Sequence, residues 1–269
     1  MHMTKKILIL PGDGIGQEVT ASSIEILNYL IDRYSLDFDI KTMDVGGTAY
    51  DLHGSPIPND VLNEAKKSDA ILFGAVGGPK WDDLGWDVRP EQALLTLRKE
   101  LGLFANLRPA FLFDELASAS PIKNKIIEGL DILIVRELTG GIYFGEPRAI
   151  VTDKTPNYAF NTMVYNEDEI RRIAKIGFES AQKRKGKLCS VEKANVLEVS
   201  KFWREIVTDM AKDYPDVELS HQLADNTAMQ LVLNPNQYDV IVSSNLFGDI
   251  LSDIAATLSG QLGCCHQHH

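Results

Sequence analysis

Asp249 and Asp253 stand four residues apart in the run Asn245-Leu-Phe-Gly-Asp-Ile-Leu-Ser-Asp253. On a helix that spacing puts both carboxylates on one face, one turn apart. Like charges so placed cost roughly 0.2–0.5 kcal/mol even in water. Among Ile250, Leu251, Ile254 and Leu258 desolvation adds to the cost. A hard divalent cation held by carboxylate oxygens, Mg2+ or Mn2+, would offset it. The plainer alternative is a solvated face whose aspartates touch nothing. Asp225 poses the same choice: a cap for a helix over Thr227–Leu233 is a sufficient role, and a third carboxylate ligand is the sharper one.

Three arginines stand at the ends of predicted elements: Arg98 late in a helix, Arg108 at the end of one strand and Arg136 near the end of another. Element ends are the usual place for ligand groups. A guanidinium is a planar fork that matches a carboxylate through two parallel hydrogen bonds. Three unrelated surface arginines are the alternative. Against it stand the acidic balance of the chain and the nearby turn Thr139-Gly-Gly-Ile-Tyr143-Phe-Gly145. Lys193 follows a strand, where a lysine could act as a base if its pKa were lowered; a solvated lysine is the simpler reading.

Positioning these groups takes alternating strands and helices, the mark of an α/β chain. Strands are expected at 7–10, 38–45 (closed by Gly46-Gly47), 70–74, 105–109, 130–138, 187–192, 218–223 and 238–243. Helices are expected from Gly16 through Ile31 and over 59–68, 91–101, 167–185, 200–212, 227–233 and 245–258. In the helix over 91–101, Leu94 and Arg98 share a face, with Glu91 and Leu95 beside it. The turn Pro11-Gly-Asp-Gly-Ile-Gly16 lacks the Gly-x-Gly-x-x-Gly spacing of a dinucleotide fingerprint, so it reads as a tight turn rather than a Rossmann signature. The stretch 148–165, alternating and containing Pro156, resembles an exposed β-arm suited to pairing with another subunit. Lys183-Arg-Lys185 reads as a solvated helix end. A boundary between two lobes falls within 101–106, with a return to the first lobe near Gly260.

The totals set bounds. The chain has 269 residues, enough for a large core and two lobes, and a net charge of −11, which disfavours nucleic acid as a partner. No apolar run reaches the length of a bilayer span, and no signal peptide precedes the first strand, so a cytoplasmic, non-membrane protein is expected. The three cysteines make no disulfide framework.

Taken together, Leu10-Pro-Gly-Asp-Gly-Ile-Gly16, Gly74-Ala-Val-Gly-Gly-Pro-Lys80, Arg136-Glu-Leu-Thr-Gly-Gly-Ile-Tyr143-Phe-Gly145, Asp225-Asn-Thr-Ala-Met-Gln230 and Asn245 to Asp253 resemble one family. It is the isocitrate/isopropylmalate dehydrogenase family, the β-decarboxylating dehydrogenases of 2-hydroxy acids, and within it most closely the members acting on 3-isopropylmalate in leucine biosynthesis. The resemblance implies a two-lobed α/β fold, not a Rossmann fold, with a central mixed sheet flanked by helices. Residues 1–103 and 260–269 would form a cofactor-side lobe, and 104–259 a second lobe with the substrate and metal site, the β-arm and a dimer interface. It implies oxidative decarboxylation with NAD and Mg2+ or Mn2+. Arg98, Arg108 and Arg136 would grip the malate carboxylates, and Asp225, Asp249 and Asp253 would hold the metal on the substrate. Lys193 would take the hydroxyl proton, and Tyr143 would protonate the enolate. Ile15, Gly77, Gly78, Pro79 and Lys80 would meet NAD. Lys193 and Asp225 would come from a second copy, making a homodimer obligatory. Glu91, Leu94 and Leu95 would face the substrate's alkyl group, and leucines there suit an isopropyl branch; one methylene in such a pocket is worth about 1–3 kcal/mol.

The chain departs from the family after Gly260. Family members continue in the style Gly-Ser-Ile-Gly-Leu-Leu-Pro-Ser-Ala-Ser, then run on for roughly a last quarter that completes the first lobe and grips the adenosine. This chain ends Gly260-Gln-Leu-Gly-Cys-Cys-His-Gln-His-His269. Deleting one base from codons for the family segment yields that ending, so a frameshifted, truncated member is expected, with an incomplete first lobe and little or no turnover. A zinc-binding tail is the alternative, though adjacent cysteines lack ligand spacing. Two further readings stay open: an inactive remnant that only dimerises or binds metal and acid, and a tartrate/malate or homoisocitrate relative.

Overall fold

The computed structural model describes residues 4–260. The chain divides after Leu103 into two compact units. The cysteine- and histidine-containing tail lies outside the described residues.

The first unit runs β1 (Lys5–Gly12), α1 (Ile15–Tyr34), β2 (Phe38–Thr42), α2 (Gly47–His53), α3 (Asn59–Ala65), β3 (Ala70–Ala75) and α4 (Glu91–Glu100). Its strands form a parallel sheet in the order β2-β1-β3. Leu8 and Leu10 of β1 pack with Val45, Val61, Ala65, Ala93 and Leu97. The glycine turn after β1 earns its composition from close contact. A Cβ on Gly16 would lie 2.3 Å from the Pro11 carbonyl oxygen, and one on Gly74 would lie 2.1 Å from the same atom. Sequence reading extended β2 to Val45 and overlooked α2. That helix starts where it does because Asp13, 34 residues earlier, accepts the Gly47 amide at 2.7 Å. Along α1 only Gly16 and Thr20 are buried, while Ile26, Tyr29 and Tyr34 are exposed.

The second unit runs β4 (Ala105–Phe111), α5 (Asn124–Ile127), β5 (Asp131–Glu137), β6 (Ala149–Val151), β7 (Tyr158–Phe160), α6 (Glu167–Gln182), β8 (Lys187–Glu192), α7 (Glu198–Met210), β9 (Glu218–Leu223), α8 (Ala224–Leu233), β10 (Val240–Ser243) and α9 (Asn245–Leu258). Five strands make a mixed sheet ordered β4-β5-β10-β8-β9, parallel except for β4. Both faces of this sheet are covered, which is why its strands read as almost unbroken apolar runs. Val135, Leu188, Val240 and Val242 pack with Phe178 of α6 and Trp203 of α7. Ile132, Ile134, Val191 and Ile241 face the other way, against Leu231 of α8 and Leu251 of α9. β6 and β7 form a separate antiparallel ribbon with Ile150 80% exposed and Tyr158 stacked on Phe160, the geometry of an arm.

Two expectations change here. Helix α6 ends at Gln182, so the basic run lies beyond it, and Arg184 is not solvated. Its guanidinium reaches the buried Asp239 at 2.8 Å and Asp131 at 2.8 Å. Helix α8 begins at Ala224 rather than Thr227, so Asp225 sits inside the first turn and is not the N-cap residue. Gly260 itself packs on the second unit: a Cβ there would lie 2.9 Å from the Ala119 backbone, and Ser120 donates a hydrogen bond to the Leu258 carbonyl at 2.6 Å.

Candidate functional site

The parallel strands β5, β10, β8 and β9 all end at one edge of the second unit's sheet. In open α/β sheets the carboxyl ends of strands are where ligands bind. Arg136 in β5, Asn245 just after β10, Lys193 just after β8 and Asp225 just after β9 all lie there.

Arg136 is 2% exposed, and its charge has to be met inside the protein. Asn245 Oδ1 accepts from its Nε at 3.2 Å and its Nη2 at 2.8 Å, and Asp249 Oδ1 accepts from Nη1. Burial pushes the guanidinium pKa down, and Asp249 and Tyr143 push it back up. Gly248 lets α9 come this close, because a Cβ there would lie 2.7 Å from Cγ of Arg136. Tyr143, at the end of a short 3-10 turn over Gly141–Tyr143, donates to Asp249 Oδ2 at 3.0 Å. Its pKa is raised, first by burial and then by the Asp249 charge, so the phenol holds its proton. Arg108, on the neighbouring antiparallel strand, donates to Asn106 Oδ1 at 2.9 Å and adds repulsion to Arg136; Asp253 adds attraction. Arg108, Arg136, Tyr143, Asp249 and Asp253 thus form one group.

Lys193 and Asp225 form another. Lys193 Nζ donates to Asp225 Oδ1 at 2.6 Å, and that bond is the largest cause of the lowered Asp225 pKa. The turn under Lys193 is held by the buried Glu192, which accepts from the Ala194 amide at 2.7 Å and pairs with Arg204 at 2.5 Å. β8 stands two places from β5, which sets their backbones about 10 Å apart. Among the described residues of this single chain, no group of three His, Cys, Asp or Glu side chains could hold a metal. The expected set Asp225, Asp249 and Asp253 is therefore not assembled within one copy. Asp249 and Asp253 alone offer hard carboxylate oxygens, the donor type Mg2+ and Mn2+ favour, and they leave a ligand set that needs further oxygens.

In the first unit, Gly77 and Gly78 have φ of 106° and 153°, and Pro79–Trp81 form a 3-10 turn. The Gly77 amide donates to Asp13 at 2.9 Å, which ties this turn to the one carrying the half-exposed Ile15. Lys80 pairs with Asp51 at 2.5 Å and lies over the Trp81 ring. On α4, Arg98 is buried while Leu94 and Leu95 are half-buried and outside the unit's core cluster. Glu91 lies against Gly77, where a Cβ would come within 2.9 Å of its Oε1.

The sequence reading missed the supports beneath Arg136 and Tyr143. Glu137 is fully buried and accepts from the Thr139 amide at 2.8 Å, the Thr139 hydroxyl at 2.8 Å, the Gly140 amide at 2.9 Å and the Tyr165 hydroxyl at 3.1 Å. Asn245 donates through Nδ2 to the carbonyls of Leu138 and Gly140. An acidic residue following Arg136, ahead of two glycines, was the one local signal.

The sequence profile described as "Isocitrate/isopropylmalate dehydrogenase" matches residues 6–266. The 3-isopropylmalate dehydrogenase of Hydrogenovibrio crunogenus is 58% identical over 262 residues, covering 97% of this chain and 73% of that protein. The enzyme of the same name from Pseudomonas savastanoi pv. phaseolicola is 57% identical with the same coverage. Among solved structures, isocitrate dehydrogenase from Methylococcus capsulatus superposes with a TM-score of 0.81 at 30% identity, covering 97% of this chain and 71% of that one. A β-decarboxylating dehydrogenase from Thermococcus kodakarensis gives 0.74 at 36% identity, covering 95% and 69%.

Proposed function

Because the chain belongs to the isocitrate/isopropylmalate dehydrogenase family, we propose that its reaction is the oxidative decarboxylation of 3-isopropylmalate to 4-methyl-2-oxopentanoate, a cytoplasmic step of leucine biosynthesis, with NAD and Mg2+ or Mn2+. The observation that carries this reading is the buried Arg136 held by Asn245 and Asp249 beside a protonated Tyr143. Arg136 and Arg108 bind malate carboxylates through paired N–H donors, and Arg98 supplies a third fork. Asp249 and Asp253, with Asp225 of a second copy, would hold the divalent ion. When bound, that ion would supply Lewis acidity toward the hydroxy-acid, and NAD would be the hydride acceptor. Lys193 takes the hydroxyl proton. Tyr143 returns a proton to carbon after CO2 has left, through the hydroxyl that now donates to Asp249.

The homodimer in this reading brings Lys193 and Asp225 of one copy to Arg136 and Asp249 of the other. It is supported by the separation of the two groups within one chain. It is also supported by the exposed apolar side chains of α8, Met229 at 50% and Leu233 at 60%, and by the exposed arm. Glu91, Leu94 and Leu95 face the isopropyl branch. Ile15 and Gly77, Gly78, Pro79 and Lys80 hold NAD.

The test is the appearance of NADH absorbance on mixing the 269-residue protein with 3-isopropylmalate, NAD and Mn2+. Turnover that disappears in Tyr143→Phe and without metal supports the proposal. A second reading, binding of metal and hydroxy-acid without turnover, is favoured by the exposed apolar stripe on α1. It predicts a calorimetric signal for isopropylmalate with Mn2+ and no NADH. Silence in both measurements overturns both readings.

A further inference from the structure

Tyr165 lies beneath the Arg136 group, between Glu137 and Asn245. Its hydroxyl donates to Glu137 Oε2 at 3.1 Å and accepts from the Asn245 backbone amide at 2.9 Å. Glu137 holds the start of the turn that ends in Tyr143. Asn245 holds Arg136 through its side-chain oxygen. One hydroxyl therefore connects the residue that grips Arg136 to the residue that anchors Tyr143. The turn also wraps the ring itself: a Cβ on Gly140 would lie 2.7 Å from Cε1 of Tyr165, and one on Gly141 would lie 2.6 Å from its hydroxyl oxygen. On its other side the ring packs edge-on against Trp203, with centroids 5.4 Å apart.

We propose that Tyr165 is a positioning residue whose hydroxyl locks the guanidinium of Arg136 and the phenol of Tyr143 into a single arrangement. The proposal rests on the function given above and deepens it. The physical argument is one of satisfiability. Glu137 is 0% exposed and Asn245 1% exposed, so neither can turn to water if the hydroxyl is lost. Burial and the Glu137 charge raise the Tyr165 pKa, so the group keeps its proton and can donate throughout the working range. Without it, Glu137 loses one of its donors and the first amide of α9 loses its acceptor. The cheapest relief is a shift of the Gly140 turn or of the start of α9, and each carries one member of the Arg136–Tyr143 pair.

Tyr165→Phe removes the oxygen and keeps the ring. The first readout needs no activity. In native-state amide exchange, Tyr165→Phe is expected to deprotect Thr139, Gly140 and the start of α9 together, although these segments lie about 100 residues apart, while mid-α6 amides are unmoved. Uniform deprotection, or none, overturns the proposal. The second readout is kinetic: kcat for 3-isopropylmalate is expected to fall about tenfold with KM for NAD unchanged. An active wild type whose Tyr165→Phe variant keeps its kcat overturns the proposal as well. A wild type without turnover counts against the function alone, and the exchange pattern then decides the positioning. Trp203→Phe disturbs the ring's packing without touching the hydroxyl; it should lower Tm and leave both site readouts in place. If Tyr165→Phe does not fold, Glu137→Gln addresses the same bridge and should give the same paired deprotection. Deprotection of the Gly140 turn without the start of α9 would overturn the proposal.

Discussion

Asp13 in the first unit and Glu137 in the second are both buried carboxylates beneath glycine turns, and the two are wired differently. Asp13, 2% exposed, accepts from the amides of Gly47, Thr48 and Gly77 and from the Thr48 hydroxyl. Nearly all of its partners are main-chain groups, so its charge is spent on folding three segments against one another. Glu137 likewise accepts two turn amides, but it also accepts the Tyr165 hydroxyl and stands 3.6 Å from Arg172. Through Tyr165 and Asn245 it communicates with Arg136. The first hub shapes a turn; the second shapes a turn and ties it, through Tyr165 and Asn245, to Arg136. Losing the first should therefore appear as lost stability, and disturbing the second as lost function at a smaller cost in stability.

The largest expected effect is that of Asp13→Ala. Stranding the buried Gly47 amide and the part-buried amides of Thr48 and Gly77 should cost about 4 kcal/mol. Urea denaturation measures it, and amide exchange should quicken at Gly47, Thr48 and Gly77 together. If the first unit keeps its stability, the contrast fails. Glu137→Gln should cost about 2 kcal/mol by the same measurement, with a proportionally greater loss of isopropylmalate turnover. Gly248→Ala forces a methyl into Arg136, at 2.7 Å from Cγ and 2.9 Å from Cβ. It should cost about 1–3 kcal/mol, with KM for isopropylmalate raised more than kcat is lowered.

His221 gives a background on which pH effects of either hub can be judged. Burial is the main reason its pKa is lowered, with Arg204 adding to the effect and Glu192 opposing it. Its Nδ1 is buried without a partner, and Nε2 meets the Thr208 hydroxyl at 2.9 Å. Since the unfolded imidazole binds a proton more readily than the folded one, stability should fall as pH drops below the unfolded value of about 6.5. His221→Gln should flatten Tm between pH 7 and 5. The smallest effect is reserved for Gly85→Ala. Its added methyl meets nothing within 4 Å and its φ is −58°, so a gain of about 0.5 kcal/mol is expected.

The same contrast explains what could be read from the sequence. β8 and β9 were legible to the residue, because turn-forming residues, Gly186 before β8 and Pro215-Asp216 before β9, mark where each begins. The pairing of Asp249 with Asp253 on one helix face follows from spacing alone. Helix α2 was not legible, since its start depends on a carboxylate 34 residues away. Nor was the support of Arg136, whose partner Asn245 lies 109 residues further on. The bond between Lys193 and Asp225 spans 32 residues and joins two strand ends, so local pattern gave each residue without the pair. Asp225 was read as a cap because a carboxylate before a helix usually is one; the helix begins at Ala224, ahead of the Thr227 start that its apolar spacing suggested.

Arg184 has a mechanical consequence. Its guanidinium bolts the beginnings of β5 and β10 together through Asp131 and Asp239. At the opposite ends of the same two strands, Arg136 and Asn245 make a second fastening. A plank fixed at both ends cannot slide along its neighbour, so shear between β5 and β10 would have to break two charged joints at once. Slower deformations of the unit are thereby diverted outward, to the arm and to the antiparallel rim at β4, and the middle of the sheet serves as a stiff chassis.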